Sequence, residues 1–470
     1  MKYEFINNNF IFYKFFFLII LIFISIKNII DLIILNFSKN ITFTKEDVLK
    51  IMEYINITIY DKIVNKIKVA IYSHSLNNGG VERNTALLIN YLAKIKIFDL
   101  YIFTNIITKG EYKLSVNVKR IIVSNQLNRL KRHLISNKIN IFIYQSYDKP
   151  IITMLKGIKN LKVIFYNHSC FLFWIYYKNR YILNNIYNEY KNAKYVISIV
   201  PFENDFLFKK WGINSIYMNN FLTYDYIKVI PSDLSSKKIL MIGRGSDKNK
   251  RFELGIRSMN FILKEIPDSE MIIISDDKDI IDMKYLVNLL KIQNNIKFVG
   301  YTSTPEIYFK DASLHIFPTI AEAFPMVLSE TKIYGIPTIL VGIDYVSASN
   351  EGVVIIYDDN PETIAKHAIN ILNNQKYKKK LAKKARISMK KFNINKILFK
   401  KWVKLILFIN KGNYYYQKLR EEESKTSTIN EENIIEKQLN LLKMRIPKME
   451  NITMKDLLNL SFVRDMNNEI

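Results

Sequence analysis

Residues 314–341 read LHIFPTIAEAFPMVLSETKIYGIPTILV, and this stretch decides the fold class. It opens with an apolar run, Leu314–Phe317, continues through a loop into a helical pattern, Pro325–Tyr334, and ends in a second apolar run, Thr338–Val341. Short apolar runs on either side of a helix are typical of a strand–helix–strand unit, whose strands lie parallel in one sheet. The stretch therefore predicts an α/β fold built on parallel strands.

The same alternation extends in both directions and predicts two doubly wound domains, at residues 67–225 and 236–373. In the first, the predicted strands are Ile67–Tyr72, Leu100–Phe103, Ile139–Tyr144, Lys162–Tyr166 and Tyr195–Val200, with a helix at Glu82–Ala93. The second adds the strands Ile239–Ile242, Met271–Ile274, Ile296–Val299 and Val353–Tyr357 and the helices Phe252–Ile266 and Pro361–Leu372. Ligands bind at the carboxyl ends of such strands, so we expect the active site in the cleft between the domains.

The amino-terminal segment, residues 1–37, carries a long apolar run. Phe10–Ile26 is apolar apart from Lys14 and is just long enough to cross a bilayer as a helix. We expect a single-pass membrane anchor here, in an endomembrane if the source is eukaryotic, followed by a connector at residues 38–66. A cleaved signal peptide is disfavoured because no small-x-small pattern follows, and a helix buried in the core is the other alternative. Lysines on both sides leave the orientation open.

The composition favours acidic partners. The formal charge is +26, from 69 Lys and Arg against 43 Asp and Glu, which suits nucleic acid, an anionic membrane or a phosphorylated small molecule. With 49% apolar residues the chain can bury large cores, so global disorder is excluded. The single cysteine, Cys170, excludes an intrachain disulfide. No RNA-binding motif accompanies the charge, so we expect no nucleic-acid partner.

Positive charge is concentrated near the carboxyl terminus. Residues 375–404 carry 13 Lys or Arg and no acid, and they run into an amphipathic pattern, ILFKKWVKLILFI. For these basic helices, residues 374–410, two interpretations stay open: a solvated face, or a surface held against anionic lipid. Residues 411–470 form a charged accessory tail without recognisable chemistry.

The first candidate site residues follow the strand that ends at Ile242. Gly243 lets the backbone turn tightly, and Arg244 and Lys250 precede a predicted helix. Cationic side chains beside a helix amino terminus suit a phosphate or diphosphate. Three acids at positions 276, 277 and 279 leave Mg²⁺ or Mn²⁺ binding open as a minor alternative, although we expect no metal site.

Two carboxylates form the second candidate cluster. Glu322 lies just before the helix predicted in the deciding stretch, and Glu330 lies inside it, eight positions later. If Pro325 occupies the first helical turn, Glu322 projects into the cleft and the nearby backbone N–H groups are free for an anion. From spacing alone, Glu322 as a simple helix cap and Glu330 as a surface glutamate are equally good interpretations.

Several segments, in the same order, resemble one enzyme family. GRGSDKNKRFELGI, NNIKFVGY and HIFPTIAEAFPMVLSETKIYGIPTI are similar to the donor-binding domain of retaining glycosyltransferase family 4. SLNNGGVERNTALLINYLAK is similar to the family's glycine-rich loop and first helix. The resemblance covers about residues 67–372 and includes the family's Glu-x7-Glu motif at Glu322 and Glu330. It implies the GT-B fold, in which two Rossmann-like domains face each other across a cleft.

The resemblance also implies roles for side chains. Arg244 and Lys250 would neutralise the donor diphosphate and assist the departing nucleotide, and Glu322 would hold hydroxyls of the donor sugar. Glu330 would accept hydrogen bonds from the ribose. His168 matches the family's histidine that faces the sugar, although a structural histidine at a strand end stays open as an alternative.

Backbone groups would complete the donor site. The backbone around Phe324, Pro325 and Met326 would support sugar and phosphate, although proline itself has no N–H to donate. Gly79 and Gly80 would let the first-domain loop approach the diphosphate closely. The acids at 276–279 replace a loop that usually contains glycine in the family, which leaves the donor contacts of that loop open.

These roles predict a retaining hexosyltransferase that moves a sugar from a UDP- or GDP-sugar to a membrane-associated lipid or glycan acceptor, without a cofactor or a catalytic metal. Cations that stabilise the leaving diphosphate favour front-face substitution, since no carboxylate pair suited to a double displacement is evident. The alternatives are an inactive scaffold with the same fold and a nucleotide-sugar epimerase. The presence of both cations and both glutamates argues against the scaffold, and the expected anchor argues against the epimerase.

Overall fold

The structure is a computed structural model that describes residues 66–77, 79–145, 151–170, 187–245, 247–275, 280–349, 351–390, 395–411 and 431–445. From Ile67 onward these residues belong to one compact unit. The predicted anchor at Phe10–Ile26, nearly all of the connector, the acids at 276–279 and most of the tail lie outside the described residues. Among the helices that are described, none is both long and apolar enough to cross a bilayer.

The amino-terminal half is a seven-stranded sheet in which every neighbouring pair of strands is parallel. Its strands are β1 Ile67–Ser73, β2 Phe98–Thr104, β3 Val118–Ile122, β4 Ile141–Tyr144, β5 Lys162–Asn167, β6 Tyr195–Ser198 and β7 Ser215–Tyr217. The order across the sheet is β3-β2-β1-β4-β5-β6-β7, so the winding direction switches between β1 and β4.

The carboxy-terminal half is a second parallel sheet, of six strands. Its strands are β8 Lys238–Ile242, β9 Glu270–Ile274, β10 Ile296–Phe298, β11 Ala312–Phe317, β12 Thr338–Val341 and β13 Val353–Ile356. The order β10-β9-β8-β11-β12-β13 places the second switch of winding direction between β8 and β11.

Helices connect the strands and cover the sheets. Those of the first half are α1 Gly80–Leu92, α2 Leu127–Ser136, α3 Ile151–Leu155 and α4 Pro201–Trp211. Those of the second half are α5 Phe252–Glu265, α6 Ile281–Leu289, α7 Glu306–Phe309, α8 Met326–Ile333, α9 Pro361–Asn373 and α10 Gln375–Lys390. Two further helices follow, α11 Asn395–Lys411 and α12 Glu431–Arg445.

Burial on both faces explains the composition of the strands. Every residue of Ile141–Tyr144 and of Ala312–Phe317 is buried. A strand covered by helices on both sides needs apolar side chains at nearly every position, not at alternate ones. In the second half, Met259 of α5 and Ala368 of α9 pack into one core with Ile316 of β11.

The predicted α/β fold with parallel sheets is confirmed, and each predicted strand is present with its ends shifted by at most two residues. β3 and β7 were not predicted, because β3 is a partly polar edge strand and β7 has three residues. The strand predicted at Tyr195–Val200 stops at Ser198, since Val200 is the N-cap of α4 and Pro201 is its first residue.

The amphipathic pattern ILFKKWVKLILFI lies in α11, and the structure shows that its apolar side packs against protein. α11 packs against the amino-terminal half, where Trp402 is fully buried with its ring centroid 5.1 Å from that of Tyr166. Lys162 Nζ also donates to Asn410 O at 2.6 Å. The apolar side is withdrawn from water by this packing, which satisfies the same hydrophobic preference that a bilayer would satisfy.

Candidate functional site

Loops at the carboxyl ends of the two sheets face each other across a cleft. Residues after β1, β4, β8 and β11, the strands on either side of the two switch points, line it, as expected for ligand sites in open α/β sheets. The cleft holds a cavity of about 520 Å³, a size typical of small-molecule sites. All the site residues predicted from the sequence line this cavity: Gly79, Gly80, His168, Arg244, Lys250, Glu322, Phe324, Pro325, Met326 and Glu330.

The two predicted cations follow β8 and are held differently. The Arg244 side chain is 66% exposed, and the nearest carboxylate oxygen of Asp247 is 3.9 Å away. Lys250 ends a short 3₁₀ turn, forms an ion pair with Glu322 and has its ammonium 5.6 Å from the centroid of the Phe317 ring. Arg244 therefore has room to reach a ligand, whereas Lys250 is already fixed in place.

Asn249 joins the loop that carries Lys250 to the loop that carries Glu322. Its amide nitrogen donates to Thr319 Oγ1 at 2.9 Å and to Ala321 O at 2.8 Å, and its side-chain oxygen accepts from Ala321 N at 2.9 Å. Thr319 Oγ1 donates to Glu322 Oε1 at 3.0 Å. Because Asn249 and Thr319 are buried, these hydrogen bonds hold the Lys250–Glu322 pair in one geometry.

Pro325 lies one position earlier in its helix than predicted. It is the N-cap of α8, with φ −70° and ψ 107°, and the helix begins at Met326. The helix predicted to begin at Pro325 therefore begins one residue later, because this ψ is outside the helical range. Its carbonyl accepts the first helical hydrogen bond, from Ser329 N at 3.2 Å. The N–H groups of Met326 and Val327, which line the cavity, consequently have no partner within the helix.

Glu330 is 2% exposed, so its interpretation as a surface glutamate is wrong. Its Oε1 accepts hydrogen bonds from the Arg83 guanidinium, on α1, and from Thr223 Oγ1 at 2.7 Å. Burial, the largest single effect, would lower the pKa of Arg83, but the Glu330 carboxylate together with Tyr112 and Tyr224 raises that pKa above its usual value. The two halves of the molecule are thus joined by an ion pair inside the cleft.

His168 follows β5, and Gln145 determines its tautomer. The Gln145 amide nitrogen donates to Tyr72 O at 3.1 Å and to Thr85 Oγ1 at 2.8 Å, so its oxygen faces His168 Nε2 at 2.7 Å. An amide oxygen can only accept, so Nε2 carries the proton and Nδ1 is an acceptor. Burial lowers the pKa of His168 to about 3, which keeps the ring neutral at pH 7.

The carboxy-terminal half also matches a known family. Residues 225–388 match the family model described as "Glycosyl transferases group 1". This part of the chain is therefore similar to a group 1 glycosyltransferase domain. The domain contains the whole second sheet, and it carries Arg244, Lys250, Glu322 and Glu330.

Curated relatives match over limited stretches. The chain is 22% identical over 169 residues to an uncharacterized glycosyltransferase of Haemophilus influenzae, covering 35% of this chain and 48% of the relative. It is 25% identical over 134 residues to poly(glycerol-phosphate) alpha-glucosyltransferase of Bacillus subtilis, covering 28% of this chain and 20% of the relative. The match thus spans about half or less of the length of these relatives.

Solved structures extend the likeness to both halves. Sucrose-phosphate synthase from Thermosynechococcus elongatus has a TM-score of 0.60 at 16% identity, covering 72% of this chain and 98% of that one. TarM has a TM-score of 0.59 at 13% identity, covering 73% of this chain and 99% of that one. Anabaena HepE in complex with UDP-glucose has a TM-score of 0.55 at 12% identity, covering 72% of this chain and 99% of that one. At these identities the likeness is one of fold, and it confirms the predicted GT-B architecture around the group 1 domain.

Two further cleft residues received no role from the sequence. Arg83 and Glu82 both belong to the glycine-rich segment and line the cavity opposite the group 1 domain. Burial raises the pKa of Glu82, against the opposing effects of its own backbone N–H and of Arg244. The Glu82 carboxylate lies where a Cβ on Gly79 would be, so the absence of that Cβ makes room for it. The position of Arg83 could have been inferred from helical spacing. Residues three apart lie on one face of a helix, so Arg83 should face the cleft together with Gly80, which was predicted to do so.

Proposed function

We propose that this chain is a retaining glycosyltransferase of the family 4 type, which transfers a hexose-type sugar from a nucleotide diphosphate sugar. The observation that carries the proposal is the charge arrangement in the cleft. Arg244, Lys250 and the first N–H groups of α8 line one cavity together with Glu322 and Glu330. Such a site offers positive charge to a diphosphate and acceptor oxygens to sugar and ribose hydroxyls.

The cations would act on the leaving group. When the bond from the sugar to the nucleotide breaks, negative charge develops on a phosphate oxygen, and prearranged positive groups at that place lower the barrier. Arg244 is exposed enough to move onto the diphosphate, whereas Lys250 acts from a fixed position. In this proposal the two cations and the α8 amides supply the charge stabilisation, without a metal or a cofactor.

Glu322 and His168 are placed for the donor sugar. Glu322, which is paired with Lys250, accepts from sugar hydroxyls, and the neutral ring of His168 lines the same cavity. Retention then results from attack by the acceptor on the face that the nucleotide leaves. A double displacement would need a free carboxylate nucleophile beside a second carboxyl group, and Glu322 is already engaged by Lys250 and Thr319.

The named relatives support a hexose donor. The Bacillus subtilis relative is an alpha-glucosyltransferase by name, and the Anabaena structure contains UDP-glucose. We therefore propose UDP-glucose or a related UDP- or GDP-hexose as the donor of this chain.

The test uses the full chain with a panel of UDP- and GDP-sugars, with and without EDTA. We expect one donor to raise the melting temperature, since a ligand at about 100 times its Kd adds roughly 2.7 kcal/mol of stability. The shift and the release of nucleotide should survive EDTA, and NMR should show that the product keeps the anomeric configuration of the donor. Loss of binding with EDTA would contradict the metal-free proposal, and an inverted product would contradict retention. A folded chain that answers to no donor would favour the inactive scaffold.

We also propose that the acceptor is presented at an anionic membrane. The solvent face of α10 carries exposed lysines at positions 376, 379, 380, 383, 384 and 390, while Leu381, Ala385 and Met389 bury the other face. Each basic residue near an anionic bilayer contributes about 1 kcal/mol, so this face would hold the cleft close to lipid-linked acceptors.

Vesicle sedimentation separates this charge effect from binding by the apolar amino-terminal run. The full chain should bind vesicles containing phosphatidylserine more tightly than vesicles of phosphatidylcholine alone. Changing Lys379 and Lys383 to Glu should remove the difference, whereas the same change at the exposed Lys109 and Lys113 should leave it. A preference for soluble sugars over detergent-dispersed lipid acceptors in the transfer assay would contradict the membrane acceptor.

A further inference from the structure

The two oxygens of the Glu330 carboxylate have different surroundings. Oε1 accepts from both Arg83 Nη1 and Thr223 Oγ1. Within the described part of the chain no group donates to Oε2, although Glu330 lines the cavity. One oxygen is therefore used by the protein, and the other is available to a ligand.

Arg83 is itself held in place from the amino-terminal half. Its Nε donates to Tyr112 OH at 3.2 Å, and its guanidinium carbon is 5.2 Å from the centroid of the Tyr112 ring. Thr223 lies in the segment between the two sheets. Three separate parts of the fold, namely α1, this connecting segment and α8, thus meet at Glu330.

We propose that Arg83 is a positioning residue, which orients Glu330 so that Oε2 is presented to the ribose hydroxyls of the donor. The proposal rests on the proposed function, because it takes a nucleotide as the ligand. A buried carboxylate without a partner is costly, and it lowers that cost by taking up a proton or by turning towards water. The Arg83 guanidinium supplies that partner and fixes the plane of the carboxylate, so that a hydroxyl meets an oriented acceptor oxygen.

The location of Arg83 adds a condition. Because it belongs to the opposite half from Glu330, the ribose site is complete when the halves are close enough for this contact. The preference for a ribose over a deoxyribose should therefore depend on a residue of the amino-terminal half, which itself makes no contact with the ribose.

The experiment measures that preference by calorimetry on the full chain. UDP and GDP are titrated beside their 2′-deoxy and 3′-deoxy forms, and the ratio of deoxy to ribo Kd is the readout. A hydrogen bond to a charged group predicts a ratio of about tenfold or more for wild type. Arg83→Met should bring the ratio close to one, and Arg83→Lys should keep part of the preference for ribose. Glu330→Gln should also bring the ratio close to one, and adding Arg83→Met to Glu330→Gln should change it no further.

Arg120→Met is the matched control, because Arg120 forms an ion pair with Glu111 and neither residue lines the cavity. It should leave the ratio unchanged. If Arg83→Met weakens ribo and deoxy nucleotides equally, Arg83 has a general structural role and the proposal is wrong. If Arg83→Met does not fold, Thr223→Val provides the same test and should lower the ratio. A wild type that binds nucleotides without a ribose preference overturns this proposal alone, whereas a wild type that binds none overturns the proposed function.

Discussion

The cleft contains two ion pairs that use two glutamates of the same segment in different ways. Lys250 and Glu322 are 72 positions apart and both belong to the carboxy-terminal half, whereas Arg83 and Glu330 are 247 positions apart and join the two halves. The side chain of Glu322 is 14% exposed and that of Glu330 is 3% exposed. The first pair lies entirely within the carboxy-terminal half, and the second forms only because the two halves are close together.

This difference suggests a division of labour. Asn249 and Thr319 fix the first pair by hydrogen bonds within the group 1 domain, so its geometry is ready before a ligand arrives. The second pair forms only where the two halves meet, so its geometry depends on how the halves pack. Groups at the reacting centre benefit most from being fixed in advance, because stabilisation in the transition state is lost if they must move during the reaction.

The largest expected effect breaks the first pair. Lys250→Met removes a positive charge beside the proposed leaving group, and kcat should fall by about 10²–10³, the usual cost of losing one such group. Initial rates of nucleotide release at saturating donor would measure it. Lys248→Met is the control, since Lys248 is exposed in the same turn and does not line the cavity. Equal losses in both variants would show that the charge of the loop matters, and not the pair.

Acid should lower the stability of the carboxy-terminal half, which carries both glutamates. His315 lies fully buried on β11, with Nδ1 3.3 Å from Thr331 Oγ1 of α8, and burial lowers its pKa from the usual 6.5 to about 3. The folded state thus binds fewer protons than the unfolded chain, so this contribution is complete above pH 6.5 and is lost progressively as pH falls towards 3. By pH 5 the loss amounts to roughly 2 kcal/mol.

Chemical denaturation at pH 7 and pH 5 would test this. His315→Gln should lose less stability between these pH values than wild type, although it starts from a lower value because the site is buried. His367→Gln, on α9, is the control and should follow wild type. An unchanged acid loss in His315→Gln would assign the effect to other groups.

A matched pair of substitutions separates the roles of the two glutamates. Each carboxylate accepts a hydrogen bond from one threonine hydroxyl. Thr319 donates to Glu322 at 3.0 Å, and Thr223 donates to Glu330 at 2.7 Å. Removing either hydroxyl by a change to Val should cost about 1.5 kcal/mol, or about tenfold. We expect Thr319→Val to lower kcat and Thr223→Val to raise the KM for the donor, because contacts remote from the reacting atoms contribute mainly to binding. If Thr319→Val instead raised the KM and Thr223→Val lowered kcat, the roles assigned to Glu322 and Glu330 would be wrong.

The smallest effect concerns the close approach of the two halves. A Cβ on Gly80 would lie 3.2 Å from Met326 Cγ, so Gly80→Ala should crowd the cleft and raise the donor KM by about fivefold, at a cost of about 1 kcal/mol. Adding Met326→Ala should restore the affinity by making room. No rescue would mean that the effect arises within the glycine-rich loop itself.

Local patterns made much of the carboxy-terminal half predictable. An apolar run, a loop with a glutamate and a helix specify Glu322 and Glu330 within one short segment, and the Lys250 turn follows directly after β8. β3 was missed because edge strands carry polar residues like those of loops. The partner of the apolar side of α11 was not predicted, since an amphipathic helix has the same pattern whether it packs on lipid or on protein.

The parallel α/β class, the position of nearly every strand and ten of the residues that line the cleft could be predicted from the order of residues close together along the chain. Tertiary structure alone decided which partner each charged group has. Arg83 meets Glu330, and α11 meets the amino-terminal half, through contacts between segments more than 150 positions apart. Such contacts depend on how two finished sheets pack, and no local pattern records that geometry.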